Sequence, residues 1–384
     1  MNKQPVVASR INTFPEYVFS QLAKTVVEVE QKTQRKVLNF GPGSPDVRPS
    51  SLYIDKLIEF IQQSNSHMYP GYGAIPELKN ALIDWYEKRF GVMLQVDELL
   101  PLLGAKDGVS HLPLALADAG DEILVPNPGY PAYIGPTLMV GAKPVFYDLP
   151  QENDVAVLLE SLKTKFTNKT KYIWVNFPSN PTGQVATLEE LKLIVEFALK
   201  HHLFVIYDNA YSEITFDGFV APSIIQIPHA KEIAVELGSF SKTFSLAGFR
   251  MGWIVGNRDI IAALAKVKSQ LDSGLSLPLQ QLGAYVLFHP NPTWQKDMLT
   301  NYQTRRDIIA KKLKKLGLTF SLPKGALYIW AKIPDPYTSS EDFCMQLLQE
   351  KQVLLTPGSA FGSNGERFVR VSICVNIDKI EEYL

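Results

Sequence analysis

The sequence predicts an α/β protein with a large domain on a mostly parallel sheet and a smaller α+β domain. From about residue 96 to 257, short apolar runs alternate with longer amphipathic stretches, the pattern of buried strands and the helices that cover them. In the same region Asn180, Asp208 and Lys242 each follow an apolar run, and ligands of such sheets sit beyond the carboxyl ends of the strands. From about residue 290 the alternation gives way to a mixture of helical and strand-like segments. The expected division is 1–48, a segment joining the small domain, 49–288, the large domain, and 289–384, the rest of the small domain.

Taken in order, 99–103 is an apolar run, 104–108 a glycine-flanked turn, and 109–117 a helical stretch. Strands are expected at 122–125, 172–175, 203–207 and 233–237. Between them, 187–200 carries Leu188, Leu191, Ile194, Val195 and Ala198 at helical spacing and opens with Thr187 and Glu190, a capping box. Further on, 302–316 reads as a basic amphipathic helix with a solvated face, 326–330 and 367–373 as strands, and 340–351 as a helix.

A chain of 384 residues with net charge −1 gives no electrostatic case for nucleic acid or an anionic membrane, so the expected partners are small molecules or copies of itself. Cys344 and Cys374 are far apart and form no metal-ligand spacing, so reduced core thiols and no metal are expected. The N-terminus lacks the apolar stretch of a signal peptide, and charges or prolines interrupt every candidate span, which points to a cytoplasmic protein.

The segment 239–250 offers the amine of Lys242, the hydroxyls of Ser239 and Ser241, and the guanidinium of Arg250. An amine can form a Schiff base with pyridoxal 5'-phosphate while the other groups bind its phosphate. Read alone, the tetrapeptide 239–242 fits a solvated turn. The turn at 104–108 would expose backbone N–H groups at a helix N-terminus, a phosphate cup, or would be a plain strand-to-helix turn. Tyr130, in the proline-rich run 126–133, could stack on a flat heterocycle or pack with Tyr133. Asn180, bracketed by prolines, could donate to a phenolate oxygen or bond its own turn.

Asp208 ends an apolar strand, where a protonated pyridine nitrogen would satisfy its carboxylate; a helix N-cap is the alternative. Tyr211 reaches the same ring if the chain turns back. Arg370 lies among β-branched and aromatic residues, and its fork matches the carboxylate of an amino-acid substrate or a surface Glu.

Together these segments resemble the fold-type I, class I/II pyridoxal-phosphate aminotransferases. The likeness runs along nearly the whole chain, through 43–46, 69–78 and 357–362 to the Arg370 strand. It implies Lys242 as the Schiff-base lysine, Asp208 as the pyridinium partner, and Asn180 and Tyr211 as ligands of the ring oxygen. It implies Tyr130 as the stacking ring, and a phosphate cup of Ala105 and Lys106 by backbone with Ser239, Ser241 and Arg250. Tyr69 would be given to a neighbouring subunit's phosphate, while Gly43, Asn180 and Arg370 would meet the substrate.

Segments 103–108, 128–131 and 271–274 are similar to the branch of LL-diaminopimelate and alanine aminotransferase-like enzymes. Ala105-Lys106-Asp107 departs from the Ser-Gly-Thr phosphate loop of animal aspartate aminotransferases, which counts against a simple aspartate assignment and leaves alanine, aspartate and LL-diaminopimelate as the donors to weigh. The chain stops at Leu384 just after a helical start, as if shortened by a few residues. The resemblance implies a homodimer with shared sites that exchanges an amino acid and a 2-oxo acid by a ping-pong route, with 2-oxoglutarate and glutamate as one pair. A pyridoxal-phosphate C–S lyase or decarboxylase would use the same parts. A non-catalytic regulatory module is the reading of another class, and the sequence shows no helix-turn-helix segment to go with it.

Overall fold

The computed structural model describes residues 7–14, 18–150 and 154–384. In chain order its strands are β1 (Leu38–Asn39), β2 (Leu99–Leu102), β3 (Glu122–Asn127), β4 (Lys143–Asp148), β5 (Thr170–Asn176) and β6 (Phe204–Asp208), followed by β7 (Ala234–Ser239), β8 (Gly252–Gly256), β9 (Tyr328–Lys332), β10 (Val353–Leu354), β11 (Thr356–Pro357) and β12 (Phe368–Ser372). Seven form one sheet in the order β2-β8-β7-β6-β5-β3-β4. The pairs from β7 through β4 are parallel, and β8 runs antiparallel to both its neighbours.

Alternate residues of the central strands feed two apolar layers. Ile173, Val175, Val205 and Tyr207 pack on one side, Tyr172, Trp174, Ile206 and Val235 on the other. A sheet covered on both faces needs such unbroken apolar runs, which is why the four expected strands appear as β3, β5, β6 and β7. Each extends further toward its carboxyl end than expected, and those added residues include Asn127, Asn176, Asp208 and Ser239.

Two strands of the seven-stranded sheet went unrecognised. In β4 most side chains are half-buried or exposed, so no apolar run marks it. β8 is buried throughout but only three residues separate its flanking glycines.

The helix after β2 runs Ala105–Leu116, starting four residues before the expected stretch, because Gly104 at φ +82° turns the chain directly into it. Helix Leu188–His201 begins as expected: Thr187 Oγ1 accepts from Glu190 N, and the Glu190 carboxylate accepts from Thr187 N at 2.7 Å.

The remaining residues form a second core. An antiparallel sheet, β11-β12-β9, packs with helices Pro292–Lys315 and Ser340–Lys351, and β1 pairs in parallel with β10 through Leu38 and Val353. The strand expected at 326–330 begins at Tyr328 because Ala326 adopts φ +60°. The basic helix is longer than expected, and its charge is not wholly solvated: Arg306 is buried and forms ion pairs with Asp217 and Asp307, and buried Lys312 pairs with Glu381.

Both cysteines are free, and no helix among the described residues is long and apolar enough to cross a membrane. Replacing Thr187 by Ala removes a capping acceptor and is expected to cost ~1 kcal/mol in urea unfolding, with the slope unchanged.

Candidate active site

The carboxyl ends of β5, β6 and β7, the start of helix Ala105–Leu116, the 41–44 segment and β12 enclose a cavity of about 560 Å³. Every candidate cofactor or substrate residue that the resemblance implies lines it except Tyr69, which is 89% exposed on the surface.

Several of the lining residues offer donors that suit an anion. The first N–H groups of a helix have no partners within it, and the positive end of its dipole lies there. Ala105 and Lys106 occupy that start. Ser239 caps the short helix Phe240–Thr243 by accepting from Ser241 N at 3.2 Å, which brings both hydroxyls to the cavity. Arg250 donates from Nη1 to Ala247 O at 2.9 Å, and its Nη2 lies against Gly104, where a Cβ would stand only 2.6 Å away. Gly104 is required twice, for its φ and for this close approach.

A buried carboxylate, that of Asp208, lines the same cavity. Asp208 is directly opposite Asn176 in the parallel β5–β6 pair. Asn176 Nδ2 donates to Asp208 O at 2.7 Å, while its Oδ1 accepts from Asn180 N at 2.8 Å, so one side chain ties the strand end to the Asn180 turn. The Phe177–Pro178 and Asn180–Pro181 bonds in that turn are cis.

Tyr133 Oη donates to Asp208 Oδ2 at 2.7 Å, and its ring stacks on Trp174 at 4.5 Å. Burial raises the Asp208 pKa, opposed by the Tyr133 hydrogen bond and by Lys242. Ala210 N approaches Oδ1 only at 3.4 Å, so the N-cap reading describes a weak contact. Tyr130 lies edge-on to Tyr133 at 5.6 Å and lines the cavity, so the stacking and packing readings of these tyrosines both fit it.

Lys242 Nζ donates to Gly43 O at 2.8 Å and lies 5.4 Å from the Tyr211 ring centre. Burial of the amine pushes its pKa down to about 8, an effect that Cys374 and, less, Asp208 oppose and to which Arg370 and Arg250 add. Tyr211 and Tyr328 share a hydrogen bond of 2.8 Å. A Cβ on Gly43 would stand 1.9 Å from the Tyr328 hydroxyl, so only glycine admits this arrangement.

Arg370 is 2% exposed; it donates from Nη1 to Asn180 Oδ1 at 2.9 Å and from Nη2 to Gly41 O at 2.5 Å. Its guanidinium lies 4.3 Å from the centre of the Tyr328 ring and 4.7 Å from that of Phe361. These contacts place it in the cavity wall rather than on a surface edge.

Sequence reasoning missed Tyr133 as a partner of Asp208, and missed Tyr328 and Leu22 altogether. Tyr133 had a signal, as the second tyrosine of the proline-rich turn. Leu22, which lines the cavity from helix Val18–Thr33, lies in a segment with no motif.

A fold of this kind with an amine, a buried carboxylate and an anion cup in one cleft defines a class of enzyme rather than a single activity. Residues 35–384 match the family model for aminotransferase class I and II, and the chain belongs to that family. It is 36% identical to an LL-diaminopimelate aminotransferase of Halothermothrix orenii over 378 residues, covering 98% of this chain and 96% of that protein. Among solved structures, substrate-bound BacF from Bacillus subtilis superposes with a TM-score of 0.90 at 33% identity, covering 99% of this chain and 96% of that one. The aspartate aminotransferase of Rhizobium meliloti gives 0.91 at 26% identity, covering 100% and 97%. The fold is therefore fold-type I, and the chain is an aminotransferase.

Only the neutral amine reacts with trinitrobenzenesulfonate. Labelling of Lys242, followed by peptide mapping, is expected to rise with pH around a midpoint of about 8. Arg370→Leu removes a repelling cation and should move the midpoint up; an unmoved midpoint would show that Arg370 does not act on the amine.

Proposed function

We propose that the chain transfers an amino group between an L-amino acid and a 2-oxo acid with pyridoxal phosphate as cofactor, in two successive half-reactions. The observation that carries this reading is the placement of Asp208, Lys242 and the anion cup around one cavity, with the buried guanidinium of Arg370 beside them.

The donor set fits the cofactor. A carboxylate within an apolar core suits a pyridinium nitrogen, the helix start with Ser239, Ser241 and Arg250 suits a phosphate, and Asn180 Nδ2 and the Tyr211 hydroxyl suit a phenolate oxygen. Bound there, pyridoxal phosphate supplies an aldehyde for an amine and a ring that accepts an electron pair.

The chain's own residues account for the rest. Lys242 would hold the cofactor through its amine and, when that amine is free, would carry the Cα proton on Nζ; a pKa of about 8 suits it to both taking and returning that proton near neutral pH. Asp208 keeps the ring nitrogen protonated, and Tyr133 orients Asp208. Arg370 binds the substrate α-carboxylate with Gly43 and Asn180 alongside, so the carboxylate is the group retained. Tyr130, which lines the cavity, would stack on the ring. Ala105 and Lys106 bind phosphate through their backbone.

Glutamate and 2-oxoglutarate form one substrate pair in this reading, and the names of the relatives put LL-diaminopimelate first among the donors to be tried. The working unit is a homodimer in which Tyr69 completes the neighbour's phosphate site. Supporting this, Met68, Tyr69, Tyr72 and Leu271 are exposed, and Gly71 packs on the nearby Gly274. The division into 1–48 with 289–384 and 49–288 is supported by the β1–β10 pairing. Two free thiols are in keeping with a cytoplasmic site of action.

Borohydride reduction of the loaded protein should fix the cofactor on Lys242, as shown by peptide mapping, and Lys242→Ala should lose it. Assay of LL-diaminopimelate, alanine and aspartate against 2-oxoglutarate and pyruvate should give glutamate from at least one donor. Ammonia and pyruvate from a cysteine-like donor, with no transfer to either acceptor, would replace the transferase reading by a lyase.

A further inference from the structure

Behind the anion cup lies a buried charge cluster that the proposed reaction does not use. Asp107 is the third residue of helix Ala105–Leu116 and does not line the cavity. Its Oδ2 accepts from Leu103 N at 2.8 Å and from the ammonium of Lys268, which also reaches Asp272 Oδ2 at 2.7 Å. Lys268 is only 4% exposed and Asp107 8%. His111 Nδ1 lies 2.6 Å from Asp107 Oδ1, and Asp272 Oδ1 accepts from Gly274 N at 2.8 Å. The carboxylates and the imidazole lie close enough together to hold a metal ion, but the ammonium already bridges Asp107 and Asp272.

A carboxylate in the first turn of a helix is favourable to the helix, yet it occupies the same electrostatic end that a phosphate dianion would use. Unpaired, Asp107 would repel the anion through a low-dielectric interior. Two carboxylates share one ammonium here, so the compensation rests on Lys268, with His111 as the only other basic group in contact with Asp107 among the interactions described.

We propose that Lys268 is a positioning residue for the cofactor's phosphate, cancelling the charge of Asp107 beneath the N–H groups of Ala105 and Lys106. The inference rests on the cofactor reading above and adds to it a residue outside the cavity. Lys268 acts through Asp107 and touches neither cofactor nor substrate.

The test compares pyridoxal phosphate with pyridoxal, which lacks the phosphate, by absorbance titration of cofactor-free protein. Lys268→Met should weaken pyridoxal phosphate by about tenfold, the scale of one uncompensated charge near an anion site, and pyridoxal by less than about twofold. Adding Asp107→Asn to Lys268→Met should restore the preference for the phosphate form to within about threefold of wild type, because the carboxylate in the first turn of the helix is gone and only that of Asp272 is left without its ammonium. Equal weakening of both ligands, or a double variant as weak toward phosphate as the single one, would overturn the proposal.

Removing one partner of a buried ion pair can prevent folding. If Lys268→Met does not fold, Asp107→Asn alone and the double variant decide the matter: both should keep the preference for the phosphate form to within about threefold of wild type, and a larger loss selective for phosphate in either overturns the inference. Wild-type protein that binds neither ligand sinks the cofactor reading itself.

Discussion

A buried carboxylate costs several kcal/mol unless hydrogen bonds or an opposite charge compensate it. Asp208 imposes that cost at the carboxyl end of β6, the middle strand of the seven. Much of what surrounds it answers the same need. Tyr133 donates to it, held in place by Trp174, while Asn176 locks the adjoining strand end, and the ammonium of Lys242 lowers its pKa against the effect of burial. A carboxylate compensated only in part by the protein is poised to receive a cation, and a pyridinium nitrogen supplies one. The parallel register of β5 and β6 thus underlies both the fold and the proposed chemistry.

The second constraint is the arrival of residues from distant parts of the chain. Gly43 precedes the large sheet and Arg370 follows it by more than a hundred residues, yet Gly43 meets Lys242 and Tyr328, and Arg370 meets Tyr328, at one cavity. The β1–β10 pairing and the second core bring them there. Arg370 is pre-oriented by Asn180 and Gly41, so a substrate carboxylate meets a guanidinium whose rotamer is already restricted. The same Asn180 amide faces Arg370 with its oxygen, which leaves its nitrogen as the donor for another oxygen.

Local chemistry made much of this legible. Thr187 and Glu190 announced a helix start, and the apolar runs ahead of Asn180, Asp208 and Lys242 placed those residues at or just beyond strand ends. What stayed hidden depends on tertiary placement. Tyr133 has the sequence context of a packing ring, and only the fold shows its hydroxyl at Asp208. β4 lies at the sheet edge, where half-exposed side chains erase the apolar pattern, and β8 is too short between its glycines to stand out. The positive φ of Ala326 could not be read from an alanine, which rarely adopts it. Arg306 and Lys312 are buried because Asp217 and Glu381, remote in sequence, reach them.

The central claim is that Asp208 holds the cofactor's ring nitrogen in its protonated form. Pyridoxal phosphate labelled with nitrogen-15 at the ring reports this directly by NMR when bound to the protein at neutral pH. The account predicts the chemical shift of a protonated pyridine in the wild type and of an unprotonated one in Asp208→Asn. An unprotonated ring nitrogen in the wild-type protein would contradict it.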